Sequence, residues 1–587
     1  MLCPVNMTFR NSVEEKKVEG IPDRTISCLL LDLSAAKGNN IVLILDCCHS
    51  AGIDRGVIVG PGAGAKAREI GDGEITISAR CDFSIYSGRT SRSRKSSQST
   101  TNTNFSGSLW DSHILLAACG RNQKAWEKQK KGLFTHALLQ AVRETPRTYL
   151  TYRSLMLRFD KMPPYQSPQL DGNNIHRRLF YPSQESVNTS MILCRREDKR
   201  PYLILEAGKT LGVTKGLIYQ LYRTDFHESE SPPLGTAVVR EVETECTSQL
   251  CPHDSEFFVT RGDIPNFWYA RLVKASRRSL LIYCDDSHSS FLEKVINGNP
   301  TQLTVSVART NNRQEADLCL KVEGDNVTFD RGRNSYFKDD KVSFKLMKDN
   351  NLFGSMDSPR ISKVTSTVND IAQTQRIINH YANFTYHLTV KSPYTISEIF
   401  DTSVTMHKLR GRTPRTLRPI LSSQNALDDE ELVRIEVDTP LPSTTTPSYY
   451  GFTLKNNGDR NLYACLFYFD ASTLEIENWF HSKPNLADDK TVDPCIRARS
   501  TLTFGFGNTG TRRFVFKIPK DQDVDICCFK IFLSLKPLDL RSISQTFKAS
   551  RGAVLLDEES DTEDLPDSPD ESWASLVIPV ILNRSSK

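Results

Sequence analysis

The chain has 587 residues, too many for one hydrophobic core, and its length predicts roughly three or four domains. Its 75 basic and 70 acidic residues leave a net charge of +5, which gives no electrostatic argument for a nucleic-acid or membrane partner. No apolar run reaches the ~18 residues of a membrane span, and the first residues lack the layout of a secretion signal. The 15 cysteines have no framework spacing, which favours a cytoplasmic chain with reduced thiols.

The first part of the chain predicts alternating helices and strands. Residues 23–37 predict a helix with one apolar face, and the all-apolar run 41–45 predicts a parallel strand covered on both faces. A second such strand is predicted at 113–120, followed by two helices. This order indicates a doubly wound α/β domain over residues 1–182. The apolar face of the first helix comprises Ile26, Leu29, Leu30 and Leu33.

The segment between the two predicted strands differs from both. Residues 87–108 are polar, basic and almost free of large apolar side chains. Such a composition cannot form a packed core, so we expect a flexible loop here.

After about residue 200 the apolar residues alternate, which predicts mostly β-structure. We expect a small β domain, a mixed α/β region, a β-sandwich or barrel, a disordered acidic segment and a terminal strand. Their predicted bounds are 198–275, 276–425, 432–548, 557–572 and 573–583, respectively. Within the sandwich or barrel, Asn457–Gly458 predicts the turn of a hairpin. Cys246, Cys251 and His253 have only a weak metal-ligand spacing, and we assign no metal to them.

Reactive side chains follow the first predicted strand in "IVLILDCCHSAG". Side chains alternate along a strand, so Asp46 and Cys48 share one face and Cys47 points to the other. Ligand crevices of α/β sheets lie beyond the carboxyl ends of the strands, which makes Cys48 a candidate nucleophile. At this point a buried structural cysteine and a redox-active Cys47–Cys48 pair remain alternatives.

The segment "LILDCCHSAG" resembles the nucleophile segment of the caspase and metacaspase family of cysteine peptidases, in its metacaspase form. "SHILLAACGRNQKAWE" and "QSPQLDGNNIHRRLF" resemble later segments of that family in the same order. The resemblance implies a caspase-like α/β domain over residues 1–182, followed by mostly-β domains. It implies cleavage of proteins or peptides after arginine or lysine, in regulated proteolysis or programmed cell death. Cys48 matches the nucleophile, and Asp46 matches an acid of the pocket that binds the basic side chain.

In this family the general base is a histidine in a His-Gly step before the cysteine, but this sequence has no histidine before His49. His113 and His136 do not match the family's catalytic place. We therefore expect the domain to be incomplete at its N-terminus, without its first strands and its base. Loss of one catalytic group can cost on the order of 10⁶ in kcat. Two interpretations stay open: a longer natural chain that is a peptidase, or an inactive interaction or scaffold protein whose β-rich region binds an unknown protein partner.

The resemblance also implies self-processing between the two core strands. Candidate cleavage sites in the basic loop are Arg89, Arg92, Arg94 and Lys95. Many metacaspases use Ca²⁺, but only Asp23 and Asp54 match that region loosely, and oxygen-rich calcium sites need about 6–8 ligands. Calcium is therefore a cofactor implied by the resemblance alone, and no metal residues are assigned.

Overall fold

The computed structural model describes the chain in a series of ranges. They are residues 19–21, 23–47, 65–67, 82, 112–120, 123–144, 150–159, 162–163, 165–172, 174–181, 191–196, 200–225, 232–252, 267–274, 279–298, 305–331, 360–392, 394–410, 418–419, 433–437, 448–481, 494–505, 514–516, 518, 524–546 and 572–584.

The first domain, residues 19–181, has its helices and strands in mixed order. They are α1 (Asp23–Lys37), β1 (Val42–Leu45), β2 (Ala65–Ala67), β3 (Ile114–Ala117), β4 (Trp126–Lys128), β5 (Lys131–Gly132), α2 (Leu133–Glu144), α3 (Tyr152–Met156) and β6 (Gln169–Asp171). One sheet has the order β1-β3-β6, with β1 parallel and β6 antiparallel to β3. A second sheet contains β2, β4 and β5. The parallel pairing of the first two predicted strands is present, whereas the doubly wound arrangement stays a prediction.

Helix α1 coincides with the helix predicted from the sequence. It ends at Gly38, whose φ of +86° is a left-handed conformation that favours glycine. The Gly38 N–H donates to the carbonyl oxygen of Ser34 at 2.8 Å, which satisfies one of the last helical carbonyls. The stop signal in the sequence was therefore sufficient to place the end of this helix.

The burial expected for α1 and β1 is only partly present. Leu29 and Leu33 of α1 are 49% and 47% exposed, and Ile44 of β1 is 41% exposed. Among the described residues β1 has β3 as its only sheet neighbour, so one edge of this strand is not covered by them. The prediction of a strand covered on both faces is therefore wrong for Ile44.

The core of the first domain lies between the sheet and its later helices. Phe134 and Leu138 of α2 and Leu155 of α3 belong to one buried cluster with Leu116 of β3. Phe134 and Phe159 add an edge-to-face contact with ring centroids 5.7 Å apart. This packing holds α2 against the end of β3, where the candidate site lies.

Residues 191–274 form a closed six-stranded barrel of order β10-β11-β8-β7-β12-β9. Its strands are β7 (Ile192–Arg196), β8 (Leu203–Leu205), β9 (Ile218–Tyr222), β10 (Gly235–Val242), β11 (Ser248–Pro252) and β12 (Phe267–Lys274). Leu205, Leu250 and Trp268 are buried in its core. The period-two pattern predicted the strands, and their pairing in the structure closes them into a barrel.

An α/β unit follows the barrel. Its elements are β13 (Leu280–Cys284), α4 (Ser289–Asn297), β14 (Val307–Arg309), β15 (Leu318–Glu323), β16 (Asn326–Arg331), β17 (Arg360–Thr367) and α5 (Ile371–Thr389). The sheet order is β14-β13-β15-β16-β17, with parallel pairing on both sides of β13.

Short 3₁₀ turns occur at Lys209–Leu211, Asp286–His288 and Arg541–Ile543. No described helix is long and apolar enough to cross a membrane.

The C-terminal part contains two facing sheets, of order β19-β18-β21-β24 and β20-β26-β25-β22-β23. The elements are α6 (Ile396–Ile399), β18 (Thr402–Arg410), β19 (Arg418–Pro419), β20 (Val433–Val437), β21 (Tyr449–Asn456), β22 (Tyr463–Asp470), β23 (Glu475–His481), β24 (Thr501–Phe504), β25 (Val524–Ser534) and β26 (Trp573–Arg584). Phe452 of β21 and Phe529 of β25 meet between the sheets with ring centroids 4.8 Å apart. Because the inner faces pack on each other, the architecture is that of a β-sandwich.

The predicted hairpin at Asn457–Gly458 is wrong. Strands β21 and β22 flank this turn, but they lie in different sheets and do not pair. The turn is stabilised by Asn456, whose side-chain oxygen accepts from the Gly458 N–H at 3.1 Å. The side-chain amide of Asn456 also donates to the carbonyls of Arg460 and Arg497, so the chain is directed into the second sheet.

Candidate active site

Asp46 lies at the carboxyl end of β1, where the sequence placed it. Its Oδ2 accepts a hydrogen bond from Thr135 Oγ1 at 2.5 Å. Thr135 is in the first turn of α2, and a helix N-terminus favours a nearby carboxylate. The acid is therefore held between the end of the sheet and the start of α2.

Cys47, the next residue, is half-buried, and its carbonyl faces the end of β3. Cys119 Sγ lies 3.7 Å from Cys47 O and 3.3 Å from Gln123 O, so its S–H can donate to either oxygen. The Ala118 N–H also donates to Leu45 O at 2.9 Å. These contacts fix the chain immediately before Cys48, which itself lies outside the described residues, as does His49.

A network of buried and half-buried side-chain amides surrounds the end of β3, and no periodic pattern in the sequence predicted it. Gln123 Oε1 accepts from the N–H groups of Gly120 at 3.1 Å and Ser167 at 2.8 Å. Gln123 Nε2 donates to Ser167 Oγ at 3.1 Å. Gln166 Nε2 donates to Ala118 O at 3.2 Å, and Gln166 Oε1 accepts from the Trp126 N–H at 2.9 Å. Buried polar groups need such partners, so the network determines where the loops at this edge lie.

Strand β2, which follows Cys48 in the chain, also lies in this region. Strand β2 pairs antiparallel with β4, and Lys66 stands opposite Glu127 in the register. Strand β4 is connected to the site because the N–H of Trp126, its first residue, donates to Gln166. A segment that follows the cysteine motif thus lies along a strand that contacts the buried amides.

The described histidines of the first domain occupy three different places. His113 is at the opposite end of β3 from Ala118, and burial lowers its pKa although the charge of Asp171 acts in the other direction. His176 faces Asp225 of the barrel, with Nδ1 3.5 Å from Oδ2. His136 is exposed in the first turn of α2, next to Thr135. Of these three, only His136 lies on an element that contacts Asp46.

The other residues that the sequence singled out lie outside the described residues. They are the candidate cleavage sites Arg89, Arg92, Arg94 and Lys95, and His253 of the weak metal pattern. Among the described residues, no group of three or more His, Cys, Asp or Glu side chains could hold a metal ion. This part of the molecule therefore assigns no ligands to the calcium that the resemblance implies.

The comparison with protein families decides the class of this domain. Residues 18–180 match the model of the caspase domain. The chain thus carries a caspase domain. For residues 18–180 this confirms the resemblance drawn from the cysteine motif. No curated protein matches the chain.

Proposed function

We propose that the caspase domain is a cysteine endopeptidase of metacaspase type that cleaves after arginine or lysine in regulated proteolysis or programmed cell death. The observation that supports it is the position of Asp46. Its carboxylate lies at the carboxyl end of β1, two residues before Cys48, and Thr135 orients it. A carboxylate can bind a guanidinium through paired, charge-assisted hydrogen bonds.

The proposed chemistry assigns one task to each residue. A base takes the proton of the Cys48 thiol, and the thiolate attacks the scissile carbonyl carbon. The C–N bond then breaks as the amine takes that proton, and water hydrolyses the thioester, which releases the carboxylic acid and restores the thiol. The Cys48 N–H donates to the oxyanion that forms during the attack. Asp46 binds the basic side chain of the substrate, which positions the scissile bond. The contact of Cys119 with Cys47 supports this geometry, because it fixes the peptide group before the nucleophile.

Asp46→Asn tests the specificity part of the proposal. Asparagine keeps the size and the acceptor for Thr135 but removes the charge, so kcat/KM for an arginine peptide should fall roughly 10²-fold. The fall should be much smaller for a matched peptide with an uncharged residue before the scissile bond. Asp459→Asn, in an exposed turn of the C-terminal part, is the matched control. Equal losses for the charged and the uncharged peptide would contradict the role of Asp46.

The alternative function is a non-catalytic, caspase-like interaction or scaffold protein. It is favoured by the positions of His113 and His176, neither of which lies at the end of β1 with Asp46. It is also favoured by the ion pair of Arg153 with Asp539, which ties the caspase domain to the C-terminal part. In this case the β-rich region would bind a protein partner. Folded protein that gives no turnover of arginine or lysine peptides, with or without calcium, would support this alternative.

Self-processing is a further part of the proposed function. An enzyme that cleaves after basic residues should cut its own segment 87–108 after Arg89, Arg92, Arg94 or Lys95. Mass spectrometry of the incubated chain should then find new N-termini directly after these residues, and Cys48→Ala should keep the segment intact. Turnover of a peptide substrate while this segment stays whole would contradict self-processing.

A further inference from the structure

A buried ionic junction connects the caspase domain with the barrel and the sandwich. From α3, Arg153 donates through Nη2 to Asp539 Oδ2. Arg541 donates to the same carboxylate, with Nε 2.8 Å from Oδ1 and Nη2 3.0 Å from Oδ2. His176 Nδ1 lies 3.5 Å from Oδ2 of Asp225, three residues after β9. His481 ends β23, and this strand lies beside the Arg541 turn because Ile476 of β23 pairs with Gln545. We call the five residues and His481 the junction.

Apolar side chains shield the junction from water. Leu157, which directly follows α3, forms a buried cluster with Leu193, Tyr222 and Tyr269 of the barrel. Arg153 itself is only 6% exposed. Charges act over longer distances in such surroundings than in water, so a change of one charge affects the whole junction.

While its histidines are neutral, the junction holds two positive and two negative charges, and Asp171 of β6 acts on it from outside. Arg153 and Arg541 then face Asp225 and Asp539. Burial acts against the charged form of Asp539, but the two guanidiniums hold the pKa of its carboxyl well below the usual range. A proton on either histidine would add a positive charge beside these arginines, in a region where unpaired charge is costly.

Both histidines resist protonation in the docked arrangement. Burial lowers the pKa of His176, and the charges of Arg541 and Arg153 act in the same direction, against the attraction of the nearby Asp225 carboxylate. Burial and the charge of Arg541 lower the pKa of His481 to about 4, although Asp171 and Asp539 oppose this and His176 adds to it.

We propose that the junction is a proton-operated latch, which holds the caspase domain against the C-terminal domains at neutral pH and releases it in acid. The proposal concerns docking, so it does not depend on the proposed peptidase activity.

Strand β6 connects the latch to the active site. Gln169, its first residue, donates to Ser167 O at 3.1 Å in the buried amide network, and Asp171, its last, acts on His481.

The direction of the pH effect follows from the lowered pKa values. A histidine freed from the junction regains its ordinary pKa of about 6.5, so the released state binds protons that the docked state excludes. Docking is therefore at full strength above that value and weakens as the pH falls below it. For a docked pKa of about 4, one histidine should lower the docking constant roughly 30-fold between about pH 7.5 and 5.0.

Amide hydrogen–deuterium exchange of the full chain tests the latch, with rates corrected for the intrinsic pH dependence. Between about pH 7.5 and 5.0, peptides covering α3 and Arg541–Ile543 should lose protection together, while α5 keeps its protection. The double variant His176→Asn, His481→Asn should retain protection of both segments at the lower pH. His288→Gln, outside the junction, should behave like the wild type. Constant protection in the wild type, or the same loss in the double variant, would overturn the proposal.

A second measurement needs no variant, so it tests the latch even if the double variant folds poorly. Exchange of the ring Cε1 hydrogen, followed by mass spectrometry across a pH series, gives the pKa of each histidine in the full chain. Values for His176 and His481 clearly below 6.5 would support the latch. A value of 6.5 or above for both would rule it out.

Discussion

Cys48→Ala is expected to reduce the cleavage of a peptide with arginine before the scissile bond to the uncatalysed background. The proposed reaction forms a covalent bond to this sulfur, and removal of the nucleophile from a catalytic unit costs on the order of 10⁶ in kcat. The measurement is the initial rate with a fluorogenic arginine peptide, with and without calcium. Circular dichroism of both proteins should show that the variant is folded.

Cys47→Ala is the matched control. The hydrogen bond that Cys47 accepts from Cys119 uses the backbone carbonyl, so the substitution leaves this contact in place. We expect the rate to stay within a few-fold of the wild type. Equal loss in both variants would show that Cys48 has no special role. Equal background rates in the wild type and in Cys48→Ala would favour the interaction protein over the peptidase.

Lys530→Met is expected to have the largest effect on stability among the substitutions considered. Lys530 lies on β25 and is 0% exposed. Its Nζ donates to the carbonyl oxygens of His387 at 2.8 Å and Leu388 at 3.1 Å, and to that of Val390. These carbonyls belong to the last turn of α5 and the residues directly after it, and the negative end of a helix dipole favours a cation. The ammonium also lies 4.9 Å from the centroid of the Phe532 ring.

Methionine fills similar space but donates no hydrogen bond, so the substitution leaves buried carbonyls without their donor. We expect a loss of about 3–5 kcal/mol in the free energy of opening of this region. Native-state hydrogen exchange of the C-terminal half of α5 measures it. Lys455→Met, on the exposed side of β21, is the matched control and should change the same value by less than about 0.5 kcal/mol. Equal effects of both variants would contradict the role given to Lys530.

Local signals in the sequence were sufficient for some elements and not for others. The C-terminal end of α1 follows from Gly38, the residue directly after the helix. The turn at Asn457–Gly458 was also placed correctly, but its hairpin was not. The side chain of Asn456 determines the local bend, whereas the sheet that β22 joins depends on its contacts with β23 and β25.

The same limit applies to the candidate site. The end of the apolar run 41–45 placed Asp46 at the carboxyl end of the strand. Its partner Thr135 is 89 residues away in the chain, and the bond between Gln123 and Ser167 spans 44 residues. Such partners are brought together by the fold and leave no periodic pattern. Lys530 was missed for a related reason, because a charged residue in a strand is usually exposed to water.

The most direct test of the account is covalent labelling of the full chain with a peptidyl-arginine chloromethyl ketone. Peptide mapping by tandem mass spectrometry then identifies the modified cysteine. The account predicts modification of Cys48 in preference to Cys47, with protection by excess arginine peptide and slower labelling in Asp46→Asn. An unmodified Cys48, or equal modification of both cysteines regardless of the competing peptide, would contradict it.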